Sequence, residues 1–209
     1  HQPRKVYVDT ATLESLPLVE LRSGLAEVLK YGIIVDATFF GFLESHQEAI
    51  LDLDQTALEH VIARCCRIKA DVVAADEREA GPRRILNYGH TVGHAIEDGT
   101  AYGLPHGHCV AYGMRAAAWI ARAMGLLAES EHQRHDRLLR RYGLADAPLE
   151  LDVEGVYTLM QGDKKATAQG LVFVLPTAVG RVTMREDVTR QIVIDALHAL
   201  ALPVWPEGD

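Results

Sequence analysis

The chain predicts a mainly α fold, a multihelical array with one small β-hairpin. Apolar residues recur at helical spacing over most of its length, with capping residues near the ends of those stretches. Only one pair of short β-branched runs is separated by a Gly-containing turn. At 209 residues and 48% hydrophobic composition, the chain can bury one sizeable core, or at most two small ones. No repeat, low-complexity segment or dinucleotide-binding glycine fingerprint is visible.

The pieces follow in order. Val6-Tyr7-Val8 reads as a short strand, followed by a helix. Ser23 can cap a helix running through Gly24 to Lys30, and Asp36 can cap another through Phe39, Phe40 and Leu43. A long helix is expected from about Gln55 to Ala75. Its stripe is Leu58, Ile62, Cys65, Lys69 and Val72, spaced alternately four and three apart. The histidine-rich segment near residue 90 should be helical, followed by a helix from Cys109 to Met124 that Gly125 terminates. Another helix covers about Ser130 to Arg141. Leu171–Leu175 and Arg181–Met184 flank Thr177-Ala178-Val179-Gly180 as the hairpin, and a final amphipathic helix contains Val188, Ile192 and Leu197.

Composition excludes several classes of function. With 21 Lys+Arg against 29 Asp+Glu, the net charge of -8 argues against a nucleic-acid surface. No apolar run reaches the roughly 18 residues that span a bilayer, and no signal peptide is visible. Cys65 and Cys66 are adjacent on a helical pattern, so they cannot bridge each other; with Cys109 they read as reduced thiols of a cytoplasmic protein. The chain starts His1-Gln2-Pro3 without an initiator Met, and the abrupt start leads us to expect an upstream part beyond it.

The chemistry concentrates between residues 86 and 108. His90 and His94 stand one helical turn apart, and His106-Gly107-His108 returns two more imidazoles after a Gly/Pro loop. A lone pair at this spacing is more often a hydrogen-bonded helix pair. Thr91-Val92-Gly93 between the two also rules out the metalloprotease pattern, which needs Glu after the first His. The nearby third and fourth histidines favour a metal site, because such a site needs at least three ligands. Lys69 could snorkel, and Arg83-Arg84 and Lys164-Lys165 could be solvated pairs. In an acidic chain their clustering near polar motifs instead suggests a cleft for an anionic substrate. Glu27 and Lys30 share a helix face as an ion pair, and Asp76–Glu79 reads as a solvated helix end.

Taken together, several blocks resemble the 3-dehydroquinate synthase family of the sugar-phosphate cyclases. They are Ser23–Gly32, Asp76-Glu77 with Gly81 and Arg83, Leu86–Glu97, His106-Gly107, Gly113-Met114 and Asp163-Lys164-Lys165. The resemblance runs from His1 to about Leu197 and covers only that family's C-terminal, multihelical domain. It implies that residues 1–209 form a single metal- and substrate-binding domain, with the N-terminal NAD-binding domain absent. It further implies Glu27, His90 and His106 as ligands of a divalent metal, zinc with cobalt as the alternative. His94 then stands beside the metal and serves proton and phosphate chemistry. Lys69 and Arg83 hold a substrate carboxylate, Lys30 contacts substrate hydroxyls and Asn87 helps with the phosphate. Lys164 or Lys165 pairs with an anionic group, and Glu79 supports the basic cluster.

The implied reaction converts 3-deoxy-D-arabino-heptulosonate 7-phosphate, a phosphorylated sugar acid, into 3-dehydroquinate and phosphate, a step of the shikimate route. NAD is regenerated in each turnover. Two further expectations are a homodimer and inactivity of this chain without the nucleotide domain. Asn87, Arg83 and Lys69 favour a carboxylated substrate over the inosose-forming and valiolone-forming relatives. Pro82 and His108 depart from the family, which usually has Leu and Glu there. The alternatives are an amino-dehydroquinate or 2-deoxy-scyllo-inosose type cyclase, or a non-catalytic metal-binding or dimerisation module.

Overall fold

The computed structural model describes residues 4–76, 81–162 and 171–202. A 3₁₀ turn at Thr10–Ser15 precedes helices α1 (Leu18–Val35), α2 (Ala37–Ser45), α3 (Gln47–Leu51) and α4 (Gln55–Ala75). A second 3₁₀ turn, Pro82–Asn87, leads into α5 (His90–Gly99), α6 (His106–Ala123), α7 (Glu129–Arg141) and α8 (Val153–Gly162). Strands β1 (Phe173–Ala178) and β2 (Arg181–Arg185) pair antiparallel, and α9 (Arg190–Leu200) follows. The mainly α array with one hairpin is therefore the observed fold. No helix among the described residues is long and apolar enough to cross a membrane.

Several boundaries agree with their local chemistry. Asp36 Oδ1 accepts from Phe39 N at 2.9 Å and caps α2, and Asp54 caps α4 in the same way through Ala57 N. Gly125, with φ of 70°, ends α6 just past Met124. The hairpin turns at Val179-Gly180, so Thr177 and Ala178 belong to β1 rather than to the turn, with a register irregularity at Pro176/Ala178. Gly180 N donates to Ile33 O at 2.9 Å, which docks this turn on the end of α1.

Other expectations are corrected. Val6-Tyr7-Val8 forms no strand; all three side chains are exposed and no partner strand lies among the described residues. Ser23 caps nothing. The helix starts at Leu18, because Leu21 already belongs to the buried stripe continued by Leu25 and Leu29. On α4 the buried residues are Ala57, Leu58, Val61 and Ile68, one position round from the expected stripe, which leaves Lys69 exposed. Helix α6 starts at His106 rather than Cys109, and Val188 precedes α9, whose N-cap is Thr189. The helix expected after Val8 is the short 3₁₀ turn Thr10–Ser15, whereas helices α3 and α8 and the Pro82–Asn87 turn are not anticipated by the sequence.

The core is organised around α6. Its run of Ala, Gly, Val and Met is buried on nearly every side, and it packs against α1, α5, α7, α9 and β1. Small residues let the neighbouring backbones come close. A methyl group at Gly113 would collide with the Gly89 carbonyl oxygen, and one at Gly107 with the Ser23 carbonyl. Gly107 N also donates to Ser23 Oγ at 2.9 Å. These two contacts hold α5 and α1 against the N-terminal half of α6. They therefore fix the relative positions of the residues that make up the site.

Candidate metal centre

The start of α5, the start of α6 and the middle of α1 converge on one point. His90 is the first residue of α5, His94 lies one turn on, and His106 opens α6. One ring nitrogen from each of the three lies within 4.8 Å of the others, a separation that one cation can bridge. From α1, Glu27 Oε1 stands 3.5 Å from His90 Nε2. Glu27 lies one turn beyond Ser23, so the Ser23–Gly107 contact anchors to the start of α6 the stretch of α1 that carries it. His108 is two residues past His106 and so turns to another side of α6, where Asp146 and Arg22 are its charged neighbours. Of the four clustered histidines, three gather.

His90, His106 and Glu27 are each held from behind. His90 Nδ1 lies 3.0 Å from the Tyr88 carbonyl, which can only accept, so Nδ1 carries the proton and Nε2 presents its lone pair towards Glu27. His106 Nδ1 lies 2.9 Å from Glu97 Oε2, an arrangement that assigns its free lone pair to Nε2. Burial pushes the His90 imidazole down to about 4, with the Lys30 ammonium lowering it further and Glu27 opposing. At neutral pH the ring is uncharged, the form that binds metal. Glu27 Oε2 accepts from the buried Lys30 Nζ at 2.5 Å, whereas Oε1 is buried without a hydrogen-bond partner. An orphaned carboxylate oxygen and two pre-oriented imidazoles fit a divalent cation with oxygen and nitrogen ligands.

The remaining predicted residues lie around this centre. Arg83 and Asn87 sit half-buried on the 3₁₀ turn that runs into Tyr88. The turn is tied down by Asp76, whose Oδ2 accepts from Gly81 N at 2.8 Å and Arg83 N at 3.1 Å. Asp76 thus has a definite partner set, in place of the solvated helix end expected of it. Lys69 is exposed on α4, a helix that packs against the same turn. Glu79, Lys164 and Lys165 lie outside the described residues. Beside His94 opens a cavity of about 520 Å³ lined by Thr91, Glu97, Asp98, Tyr102 and Thr158. Glu97 had no role in the sequence reading, although a helix places it one turn past His94 on nearly the same face.

Solved structures with the same architecture show its class. The fold superposes with a TM-score of 0.84 on 2-epi-5-epi-valiolone synthase from Streptomyces hygroscopicus subsp. jinggangensis 5008, solved with NAD+ and Zn2+ bound. That likeness is 26% identical and covers 92% of this chain and 54% of the other. A 2-deoxy-scyllo-inosose synthase complexed with carbaglucose-6-phosphate, NAD+ and Co2+ superposes with a TM-score of 0.82. Here the identity is 30%, over 94% of this chain and 57% of the other. The fold is that of the sugar-phosphate cyclases. Residues 24–166 match the family model described as 3-dehydroquinate synthase C-terminal. The 3-dehydroquinate synthase of Desulforamulus reducens is 48% identical over 199 residues, 94% of this chain and 55% of that protein. The chain belongs to the 3-dehydroquinate synthase family and spans about half the length of these relatives.

Proposed function

We propose that this chain is the metal- and substrate-binding domain of a 3-dehydroquinate synthase, a carbon–oxygen lyase. It would act together with an NAD-binding domain on 3-deoxy-D-arabino-heptulosonate 7-phosphate, releasing phosphate and forming 3-dehydroquinate. The observation that carries this reading is the gathering of His90, His94 and His106, with Glu27 3.5 Å from His90 and paired with Lys30, and with Asn87 and Arg83 on the turn leading in. The 48% identity to a 3-dehydroquinate synthase supports the substrate over those of the inosose and valiolone enzymes, which share less identity.

When bound, a divalent cation at Glu27, His90 and His106 supplies Lewis acidity, and NAD+ supplies a reversible hydride acceptor. The chain's own residues do the rest. Arg83 offers a planar two-pronged donor to the substrate carboxylate, with Lys69 as the second cation. Lys30, already paired with Glu27, presents its ammonium to substrate hydroxyls and holds the carboxylate in place. Asn87 donates to the phosphate, and Lys164 or Lys165 neutralises its charge. His94 moves a proton at the ring nitrogen it turns towards His90 and His106. Such positioned charges act mainly by orientation and by stabilising developing charge.

The test is to join the chain to the N-terminal half of the Desulforamulus reducens enzyme and to measure phosphate release with NAD+. Turnover of the heptulosonate phosphate, with neither the inosose precursor nor the valiolone precursor consumed, is the expected result. Preference for either of the latter would move the chain to an inosose or valiolone role. No turnover of any of the three by a folded, metal-loaded fusion would leave only a binding or dimerisation module.

A further inference from the structure

We infer that Glu97 is a positioning residue for His106: its carboxylate fixes the imidazole tautomer and aims Nε2 at the metal. The inference rests on the ligand reading above and deepens it. Glu97 Oε2 and His106 Nδ1 are 2.9 Å apart, and the Glu97 side chain is 19% exposed against 46% for His106. The better buried partner is therefore the carboxylate. A carboxylate can only accept, so the shared proton sits on Nδ1 and the ring's other nitrogen is left with its lone pair.

Placement of Glu97 is itself over-determined. Its backbone carbonyl accepts from Tyr102 N at 3.0 Å and from Thr100 Oγ1 at 3.2 Å. Ala101 N donates to Asp98 O, and Gly103 N to Thr100 O. Tyr102 Oη donates to Asp98 Oδ1 at 2.9 Å. Ala101 and Tyr102 stand consecutively in the left-handed region, at φ of 49° and 60°, a costly backbone state for side-chain-bearing residues. These bonds maintain the tight connection from α5 to α6, across which Glu97 and His106 meet. His90 is held by a neutral carbonyl and His106 by a full charge. The two imidazoles are therefore not equivalent ligands.

The experiment compares the chain with its Glu97→Ala, Glu97→Gln and His106→Ala variants. Zn2+ affinity is read by chelator competition, and the His106 tautomer by ¹⁵N imidazole NMR without metal. The NMR is run roughly two units above the ordinary histidine pKa. Glu97→Ala is expected to weaken Zn2+ binding by roughly 10- to 100-fold and to move the His106 proton from Nδ1 towards Nε2. Glu97→Gln, which keeps an acceptor and loses the charge, should fall between parent and Ala and retain the parental tautomer. It also serves as the deciding variant if Glu97→Ala fails to fold. Parental affinity together with the parental tautomer in Glu97→Ala overturns the inference. If His106→Ala keeps full Zn2+ affinity, the ligand assignment has failed instead, and the tautomer alone still decides the role of Glu97.

Discussion

His90 sits where its neighbours disagree. Burial and the Lys30 ammonium push its imidazole towards the neutral form, while Glu27 pulls the other way, and burial prevails. A neutral, oriented ring is a ligand in waiting. We expect His90→Ala and His106→Ala to abolish stoichiometric Zn2+ binding, measured by metal analysis after gel filtration, and His94→Ala to retain most of it. Equal loss in all three would make His94 a ligand, a role its nearness to the other two rings permits geometrically. Glu27→Gln should weaken binding too, since it replaces the orphaned carboxylate oxygen with an uncharged acceptor or a donor. Sequence made the histidine cluster legible because spacing on a helix maps directly to a shared face. Glu27 and Glu97 are different cases. The first needed the family resemblance, since nothing in local spacing joins α1 to α5, and the second needed the turn geometry at Ala101-Tyr102.

The helices that carry these groups are set by contacts of very small residues. Gly107 and Gly113 mark where α1 and α5 touch α6, and neither site has room for a methyl group. We expect Gly113→Ala to destabilise the chain by about 2–3 kcal/mol in urea unfolding, through the overpacking it forces, and to weaken Zn2+ binding by spreading α5 from α6. A variant with parental stability and affinity would show that the helices absorb the change elsewhere. Asp36→Ala, remote from the site, removes the α2 cap together with the Arg64 contact. It should cost about 1–2 kcal/mol while leaving Zn2+ affinity unchanged. Helix existence was readable here from caps and periodicity. The face of α4 was not, because Ile62, Cys65 and Ile68 offer two overlapping stripes and only packing against α1 and the Pro82–Asn87 turn selects one. Short α3 and α8 carry too few turns for a periodic signal.

Behind the candidate metal centre lies a buried polar group that couples the fold to pH. Tyr88, next but one before His90, is fully buried; its hydroxyl lies 2.8 Å from His135 Nε2 and donates to Met114 O. His132 and the Arg115–Asp136 ion pair complete the surroundings, and the Nδ1 atoms of both histidines are buried without hydrogen-bond partners. Burial, reinforced by His132, holds the His135 imidazole down at about 3. The folded chain therefore keeps this ring neutral where the unfolded chain protonates it, and stability is full above the ordinary histidine value. It is lost as pH falls from there towards 3, by up to roughly 5 kcal/mol from this group alone. Urea unfolding across that range should show the loss, with a shallower slope in His135→Gln. An identical slope in the variant would assign the acid sensitivity to other groups.

The distance along the chain between Glu27 on α1 and His90 on α5, which stand 3.5 Å apart, has a kinetic consequence. Their meeting closes a long loop, and loop-closure entropy makes such contacts late arrivals in folding. A cation gripping both would tighten a state reached only after the rate-limiting barrier. Saturating Zn2+ should therefore leave the refolding rate of the chain nearly unchanged and slow its unfolding, by a factor matching the full equilibrium stabilisation. Stopped-flow unfolding with and without the ion would show it. The ion would then govern how long the native state lasts, not how quickly it is reached.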